Sequence, residues 1–301
     1  MNKAYKGQVK LLLDVLPEVA KEECFAMHGG TAINLFIRNL PRLSVDIDLT
    51  YTRIGERAGS LASINAALIR IKERVEALKP RVHIQHKENT CKLLISEQGI
   101  QIKVEVNMLG RGLLGEASKV SLCDAAQNQF DVFCSVPLVP MAQLYGGKIC
   151  AALDRQHPRD LFDVKLLLEN EGFTDEIKTG LMFGLISSNR PSHELLRPRF
   201  KDQRIAFENQ FEGMTTIAFS YEDYESTRLE LINEIHGSLM DADKDFLLGV
   251  NRLEPDWSIY DFQDFPSVKW KLANLEIFKG KRPEDHQKHC AELEKILSSN
   301  L

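Results

Sequence analysis

The pattern of the chain changes near residue 140, and this change constrains its fold more than any other feature. Before it, short runs of alternating apolar and polar residues predict strands with two or three helices between them. Beyond Pro140, apolar residues recur at helical spacing and strand patterns almost vanish. We therefore predict an α+β fold, with a mixed-sheet domain over residues 1–137 and a helical C-terminal domain over residues 138–301.

Composition excludes several classes of protein. The 301 residues are 44% hydrophobic and 27% charged, which is ordinary for a globular chain long enough to bury a core without disulfides. No apolar run approaches the roughly 20 residues that cross a bilayer, and the N-terminus lacks a signal-peptide core. The six cysteines form no CxxC pair and are expected to be reduced. We expect a cytoplasmic protein that does not bind membranes.

The periodicity also gives approximate element boundaries. A helix is expected up to residue 23, with a kink or break at Pro17. Strands are predicted over 43–51, 82–86, 90–96 and 100–108, with a helix over 60–78. In the second half, helices are predicted over 141–153, 159–169, 176–186, 224–239, 267–278 and 284–297.

The net charge of −5 conceals an uneven distribution. Residues 206–264 hold 14 acidic and three basic residues, a charge of −11, so the remainder carries +6. This acidic segment is either a solvated helical face or a surface that repels RNA and docks a basic partner. A basic cluster just before it is either a solvated connector or a patch that contacts RNA phosphates. The candidate contacts are Arg190, Arg197, Arg199, Lys201 and Arg204.

Asp46 and Asp48 lie two residues apart in a run that alternates like a strand. Residues at this spacing project from one face, so both carboxylates would point away from a core that holds Ile47 and Leu49. The pair belongs either to a solvent-exposed strand face or to a divalent-cation site. Mg²⁺ fits the second interpretation because it prefers oxygen ligands and keeps waters and substrate phosphates as its other ligands.

A glycine pair, Gly29 and Gly30, precedes these aspartates in the chain. Glycine lets the backbone approach a ligand closely because it has no Cβ. Thr31 is expected to cap a helix that runs to about Asn39, and a helix N-terminus favours phosphate. A glycine turn followed by a D-x-D strand predicts a site for a nucleoside triphosphate and Mg²⁺.

Phosphoryl transfer with two metal ions needs a third carboxylate. In the alternating strand at 100–107, Glu105 is the only acid on the polar face, so we predict it as that group. The alternative is that Glu105 forms an ion pair with Lys103. A glycine turn, a D-x-D strand and a third acid on a nearby strand together resemble the nucleotidyltransferase fold of the DNA polymerase β type.

A second group of charged residues lies in the helical half. Lys148 is on an apolar helix, and Asp160 and Asp163 share one face of the next helix. Separately, each has an ordinary explanation. A lone lysine usually extends to the surface, and acids near a helix start are favoured by the dipole.

Together these segments resemble the AbiEii/MenT family of nucleotidyltransferase-like toxins from bacterial toxin–antitoxin and phage abortive-infection systems. The resemblance covers roughly residues 25 to 170, and only the order and spacing of its segments are specific. It rests on His28–Ala32, Arg42–Leu49, Lys103–Val106, Lys148–Ala151 and Arg159–Asp163. The chain departs from the family at two positions, with His28 where lysine is common and Glu105 where aspartate is commoner.

The resemblance implies a polymerase-β-type nucleotidyltransferase domain followed by a helical domain. It implies Mg²⁺-dependent transfer of a nucleotide, often a pyrimidine, from an NTP to the 3′ end of tRNA, which blocks aminoacylation and growth. It also implies a cognate antitoxin, a protein that could itself bind DNA. The implied site consists of Asp46 and Asp48 as metal ligands with Ser44 beside them, Lys148 on the triphosphate, and Asp160 or Asp163 from the helical domain.

Other functions stay open on the sequence alone. The same site could transfer a nucleotide or a γ-phosphate to a protein, an antibiotic or another RNA, or the chain could bind nucleotides without turnover. A zinc site is not predicted. His286, His289 and Cys290 lie at helical spacing, but zinc needs four ligands and no fourth is evident.

Overall fold

The computed structural model describes residues 3–299, and these form two compact units. The first unit runs to residue 140 and also includes residues 210–218. The second comprises residues 141–209 and the chain from 219 onward. A short segment from the second half of the sequence therefore folds with the first unit.

The first unit contains a seven-stranded mixed sheet with the strand order β3-β4-β5-β2-β1-β7-β6. Strand β2 pairs in parallel with β5, and β1 with β7, while the other neighbouring strands are antiparallel. The elements are α1 (Lys3–Val19), β1 (Phe25–His28), α2 (Gly29–Ala32), a π-helical turn (Ile33–Ile37), β2 (Asp46–Tyr51), α3 (Arg57–Leu78), β3 (His83–Lys87), a 3₁₀ turn (Glu88–Thr90), β4 (Lys92–Glu97), β5 (Ile100–Asn107), β6 (Ser118–Ser121), α4 (Asp124–Phe130) and β7 (Ser135–Leu138).

Alternation along the central strands separates the core from a polar face. Ile47 and Leu49 on β2 and Val104 and Val106 on β5 are at most 1% exposed. Burying each such side chain contributes about 1.5–3 kcal/mol, and α1 and α3 both contact strands of this sheet. The residues between them along β2 and β5 stay partly accessible, so the middle of the sheet presents charged groups on a rigid support.

The secondary-structure elements of the second unit are all helices among its described residues, and the predicted α+β class is confirmed. Its closest helix contact joins α5 and α7, where a Cβ on Gly146 would collide with the backbone of Gly180. The helices are α5 (Met141–Arg155), α6 (Pro158–Asn170), α7 (Asp175–Ser187), α8 (Ser192–Leu196), α9 (Arg204–Gln210), α10 (Tyr221–Ser238), α11 (Asp241–Arg252), α12 (Pro266–Lys281) and α13 (Pro283–Ser298).

Some predicted boundaries are wrong. Helix α1 continues through Pro17 to Val19, because a proline in the last turn removes only one helical hydrogen bond. The helix expected from Thr31 begins earlier, at Gly29. The short elements β6, α4, β7, α8, α9 and α11 were not predicted. None of the helices over residues 3–299 combines the length and the apolar character needed to cross a membrane.

Candidate active site

Asp46 and Asp48 project from one face of β2, as the alternation predicts. Ile47 between them is fully buried, while both aspartates are half-buried. Strand β2 lies between β1 and β5 in the interior of the sheet. The two carboxylates therefore lie on a support whose backbone is hydrogen-bonded on both sides.

A row of four polar side chains crosses the sheet through Asp48. His28 on β1 pairs with Asp48, Asp48 pairs with Glu105 on β5, and Glu105 pairs with Lys92 on β4. Neighbouring strands lie roughly 4.8 Å apart, so these groups act on one another electrostatically. The row lines an open cleft of about 440 Å³, whose wall also includes Thr90, Val106, Asn107, Met108 and Leu109.

Glu105 lies between two lysines. Its Oε1 is 2.6 Å from Lys92 Nζ and its Oε2 is 2.7 Å from Lys103 Nζ. Burial raises the pKa of Glu105, but the hydrogen bonds and charges of the two lysines outweigh it and hold the pKa below its ordinary value. The ion pair with Lys103, an alternative left open by the sequence, is thus present. The role of Glu105 as a third acid stays a prediction.

The glycine turn lies against Asp48. Gly29 has φ +79°, a conformation that glycine adopts without strain, and a Cβ there would lie 2.6 Å from Asp48 Oδ2. A Cβ on Gly30 would lie 2.7 Å from a guanidinium nitrogen of Arg42. Both glycines are therefore needed for close packing of the turn, Gly29 against a predicted metal ligand and Gly30 against a buried cation.

Thr31 ties this turn to the strand of aspartates. Its hydroxyl donates to the carbonyl oxygen of Asp46 and is hydrogen-bonded to Ser44 Oγ at 3.0 Å. The prediction that Thr31 caps the helix is wrong, because His28 occupies the N-cap position and the threonine side chain is used between segments. Ser44 is 8% exposed, so it supports the turn from beneath.

His28 is also held in place at the start of the turn. Its Nδ1 lies 3.0 Å from the hydroxyl of Thr50 on β2. This contact fixes the imidazole beside Asp48, its partner in the strand register. A fixed imidazole therefore lies directly before the glycine pair.

In the second unit, Lys148 is bound by both predicted aspartates. Its Nζ is 2.9 Å from Asp160 Oδ1 and 3.0 Å from Asp163 Oδ2, and all three side chains are at least 94% buried. Arg155 adds a contact of 2.5 Å to Asp160. Lys148 therefore does not extend to the surface. It forms a network of connected ion pairs with Asp160, Asp163 and Arg155.

The Asp160 carboxyl has a strongly perturbed pKa. Burial raises it, but the charge of Lys148 and the hydrogen bonds and charge of Arg155 have the larger combined effect. The pKa therefore lies far below its usual range. Asp160 is ionised at every pH at which the protein would be assayed.

The basic segment before the acidic region is mostly accessible. Arg197, Arg199, Lys201 and Arg204 are exposed. Arg190 is ion-paired with Asp154 at 2.7 Å and with Glu194 at 3.1 Å. Four of the five predicted RNA contacts thus present their side chains to solvent, as both interpretations of the segment require.

The donor chemistry of Asp46 and Asp48 fits Mg²⁺. Two half-buried carboxylates on one strand face supply oxygen ligands and leave other positions to phosphate and water. Within residues 3–299, no three acidic, histidine or cysteine side chains are placed to enclose a metal ion. The two aspartates therefore fit a cation shared with a bound triphosphate better than a closed metal cage.

Three residues of the site were not assigned a role from the sequence. Arg42, which is 2% exposed, packs under Gly30, Lys92 pairs with Glu105, and Arg155 pairs with Asp160. The position of Lys92 could have been found, because a tight turn at Gly99 places it opposite Glu105 on the preceding strand. A buried arginine and an exposed one look alike in the sequence, so Arg42 gave no signal of its own.

Comparisons with known proteins show the family and the fold of this chain. Residues 10–274 match the family model described as "Nucleotidyl transferase AbiEii toxin, Type IV TA system". No curated protein matches the chain. The solved structure of MenT4, a nucleotidyltransferase toxin of Mycobacterium tuberculosis H37Rv, superimposes with a TM-score of 0.62 and 13% identity, over 91% of this chain and 95% of that one. At this identity the structural likeness shows the fold.

Proposed function

Because the chain belongs to the AbiEii family of nucleotidyltransferase toxins of type IV toxin–antitoxin systems, we propose that it transfers a nucleotide from an NTP to the 3′ end of tRNA. The donor is a pyrimidine nucleotide, and the modified tRNA can no longer be aminoacylated. Growth then stops until a cognate protein antitoxin counteracts the toxin. The reaction takes place in the cytoplasm, where tRNA and NTPs are available.

One observation carries the proposal: a glycine turn packs directly on a pair of carboxylates in the middle of a mixed sheet. Gly29 leaves no room for a Cβ beside Asp48, and Thr31 links the turn to the backbone of Asp46. The turn and the carboxylates therefore form one rigid unit. This arrangement suits a triphosphate bound by the turn and a cation bound by the carboxylates.

Each residue of this unit has a distinct proposed role. The backbone of Gly29, Gly30 and Thr31 binds the phosphates, and Asp46 and Asp48 hold Mg²⁺. When bound, the cation neutralises charge on the triphosphate and orients it. Arg42 places a positive charge under Gly30 and so favours an anion on the turn.

Glu105 is the proposed general base, acting directly or through a second metal ion that it would hold. It accepts the proton of the terminal ribose hydroxyl while the ribose oxygen forms a bond to the α-phosphorus of the NTP. The bond from the α-phosphorus to its bridging oxygen breaks, and pyrophosphate leaves. The lowered pKa of Glu105 keeps the carboxylate in the ionised form that a base requires, although it also makes that base weaker, and Lys92 and Lys103 hold its position.

The helical unit supplies the remaining proposed contacts. Lys148 donates to the triphosphate and offsets charge that develops on the leaving pyrophosphate. Asp160 and Asp163 orient its ammonium group, and the ion pairs between them support this role. The exposed cations Arg197, Arg199, Lys201 and Arg204, together with Arg190, would contact phosphates of the acceptor RNA.

Incubation with total tRNA, Mg²⁺ and each α-labelled NTP separately tests the proposal. Label on tRNA from a pyrimidine NTP, absent with an Asp46→Ala variant, is the expected result. Label on protein, or an NDP product instead of pyrophosphate, would replace tRNA nucleotidylation with another acceptor or with phosphoryl transfer. Binding of NTP without any product would leave a nucleotide-binding module.

A further inference from the structure

A second pocket lies in the helical unit, between the hairpin of α12 and α13 and the ends of α7 and α11. Its volume is about 230 Å³. Ligand sites for drug-sized molecules usually measure about 300–1,000 Å³, so this smaller, open pocket can enclose a base and the near side of its sugar phosphate but no larger ligand. Its walls consist of Asn189, Pro191, Asn251, Trp270, Lys271, Asn274, Leu275, Phe278, His286, His289 and Cys290.

Aromatic rings form a large part of this wall. Trp270 is 38% exposed, which is unusual for the largest apolar side chain. Phe278 contacts the ring of His289 with centroids 5.1 Å apart. Half-exposed rings at a pocket favour a planar ligand, because stacking of the ligand on a ring removes the faces of both from water and stabilises the complex.

Lys271 gives the pocket a buried positive charge. It is 5% exposed, and its ammonium donates to the carbonyl oxygens of Ser188 at 2.8 Å and Arg190 at 2.6 Å. No carboxylate of residues 3–299 is ion-paired with it, although the charge of Glu194, which is paired with Arg190, acts on it from nearby. An ammonium group has three N–H donors, so one remains for an anion. Burial lowers the pKa of Lys271 to about 8, and a bound anion would raise it again.

The other polar groups of the pocket fall into two sets. His286 and Cys290 both donate to the carbonyl oxygen of Asn251, at 2.9 and 3.5 Å, so they hold helices together and do not form a metal site. The side chains of Asn189 and His289 make no hydrogen bond to other described residues, and the His289 ring packs against His193 and Phe278. These two side chains are available to the edge of a ligand.

We propose that this pocket binds one nucleotide unit, with its base against Trp270 and its phosphate at Lys271. The ligand class follows from three features together: a planar apolar wall, a buried ammonium with no carboxylate in contact among the described residues, and amide and imidazole groups at the rim whose side chains make no hydrogen bond. Two sources share this chemistry, a free mononucleotide and a nucleotide within a single-stranded RNA. The site is separate from the Asp46 and Asp48 face, and its existence does not depend on the proposed function.

Tryptophan fluorescence of the full chain tests the proposal directly. The chain contains two tryptophans, so a Trp257→Phe variant reports on Trp270 alone. Titration with UMP should quench this signal saturably, while uridine and inorganic phosphate should each bind at least about tenfold more weakly, because each lacks half of the contacts. A uridine-containing RNA hexamer, titrated in parallel, separates the two sources. Tighter binding of the hexamer assigns the pocket to RNA, and tighter binding of UMP assigns it to the free nucleotide.

Variants in the Trp257→Phe background test the phosphate contact and the rim of the pocket. Lys271→Met should weaken UMP binding at least about tenfold, because it removes the charged donor. Lys279→Met, which removes an exposed lysine of the same helix, should leave it unchanged. If Lys271→Met does not fold, His289→Ala at the rim carries the test and should weaken UMP binding. The proposal is wrong if neither UMP nor the hexamer quenches Trp270, or if the folded variants bind both as tightly as their parent.

Discussion

Asp48 and Glu105 are direct partners on adjacent parallel strands, yet the Glu105 carboxylate is ion-paired with Lys92 and Lys103. The strand register places the two acids side by side, but both lysines bind Glu105, so the two carboxylates have different surroundings. Asp48 stays next to the glycine turn, where a cation and triphosphate are proposed to bind. Glu105 keeps a fixed position beside it, where a proton acceptor is needed.

Replacement of Asp46 should abolish transfer without unfolding the chain. An Asp46→Asn variant keeps the size of the side chain and removes one charged ligand, so the rate should fall by several orders of magnitude. Its circular dichroism spectrum and melting temperature should match those of the parent. Glu116→Gln, at an exposed acid of the same unit, is the matched control and should retain full activity. Unfolding of Asp46→Asn would mean that the residue is structural.

Gly29 and Gly99 provide a matched pair of glycine substitutions. Both have positive φ, +79° and +81°, so alanine at either position costs about 1–2 kcal/mol of backbone strain. A Cβ meets Asp48 Oδ2 at Gly29 but open space at Gly99. We predict a larger loss of thermal stability in Gly29→Ala, because the contact with Asp48 adds to the backbone strain. At a temperature at which both variants are folded, only Gly29→Ala should lose most of its transfer activity. If the two variants are equally active, the glycine turn does not take part in transfer.

The pH dependence of catalysis should report on Glu105. The two lysines hold its pKa below the ordinary value, so the carboxylate is ionised above that pKa and activity falls only as the pH drops through it. Lys92→Met removes one of the two cations and should move the acidic limb of the kcat/KM profile to higher pH. Lys87→Met, an exposed lysine beside Lys92 in the strand register, should leave the limb in place. An unchanged profile in Lys92→Met argues against Glu105 as the base.

The buried network around Lys148 should dominate the stability of its unit. Asp160→Asn leaves part of the positive charge unpaired and should cost about 3–5 kcal/mol in the free energy of unfolding. Because the native pKa of Asp160 is depressed, this stabilisation is complete above the unfolded-state pKa of about 3.9 and is lost as the pH falls below it. Denaturant melts at neutral and acidic pH should show the difference from the parent shrinking in acid. Asp264→Asn, at an exposed ion pair, should have little effect at either pH.

The exposed arginines of the basic segment should set the salt dependence of RNA binding. If Arg197 and Arg199 each neutralise one phosphate, their joint replacement by alanine reduces the slope of log K against log salt by about 1.4 to 1.8. Fluorescence anisotropy with labelled tRNA measures this slope. Replacement of the exposed Arg53 and Arg81 in the sheet unit should leave it unchanged. If both double variants keep the salt slope of the parent, residues 190–204 do not contact RNA and form a solvated connector.

The sequence predicts the sheet and its acidic face because strand alternation is a local property. Asp46, Asp48 and Glu105 were placed on one side of their strands by counting residues, and the structure pairs Asp48 with Glu105. Contacts between distant segments carry no such periodic signal. Residues 210–218 join the first unit through hydrogen bonds from Leu43 to Met214 and from Thr215 to Pro41, which no local pattern indicates.

The helical half shows the same limit. The spacing of Asp160 and Asp163 placed both on one helical face, but their joint contact with Lys148 depends on how two helices pack. A lysine that extends to solvent and a lysine buried between two aspartates have the same sequence environment. Burial, and with it the perturbed pKa of Asp160, could be known only from the fold.

Release of pyrophosphate from an NTP in the presence of tRNA tests the central proposal most directly. The purified chain with Mg²⁺, tRNA and CTP or UTP should release one pyrophosphate for each nucleotide incorporated into tRNA, and Asp46→Asn should release none. Omission of tRNA should also abolish release, because no acceptor hydroxyl is present. Pyrophosphate release that does not depend on tRNA, or that persists in Asp46→Asn, would contradict a tRNA nucleotidyltransferase built on the Asp46 and Asp48 face.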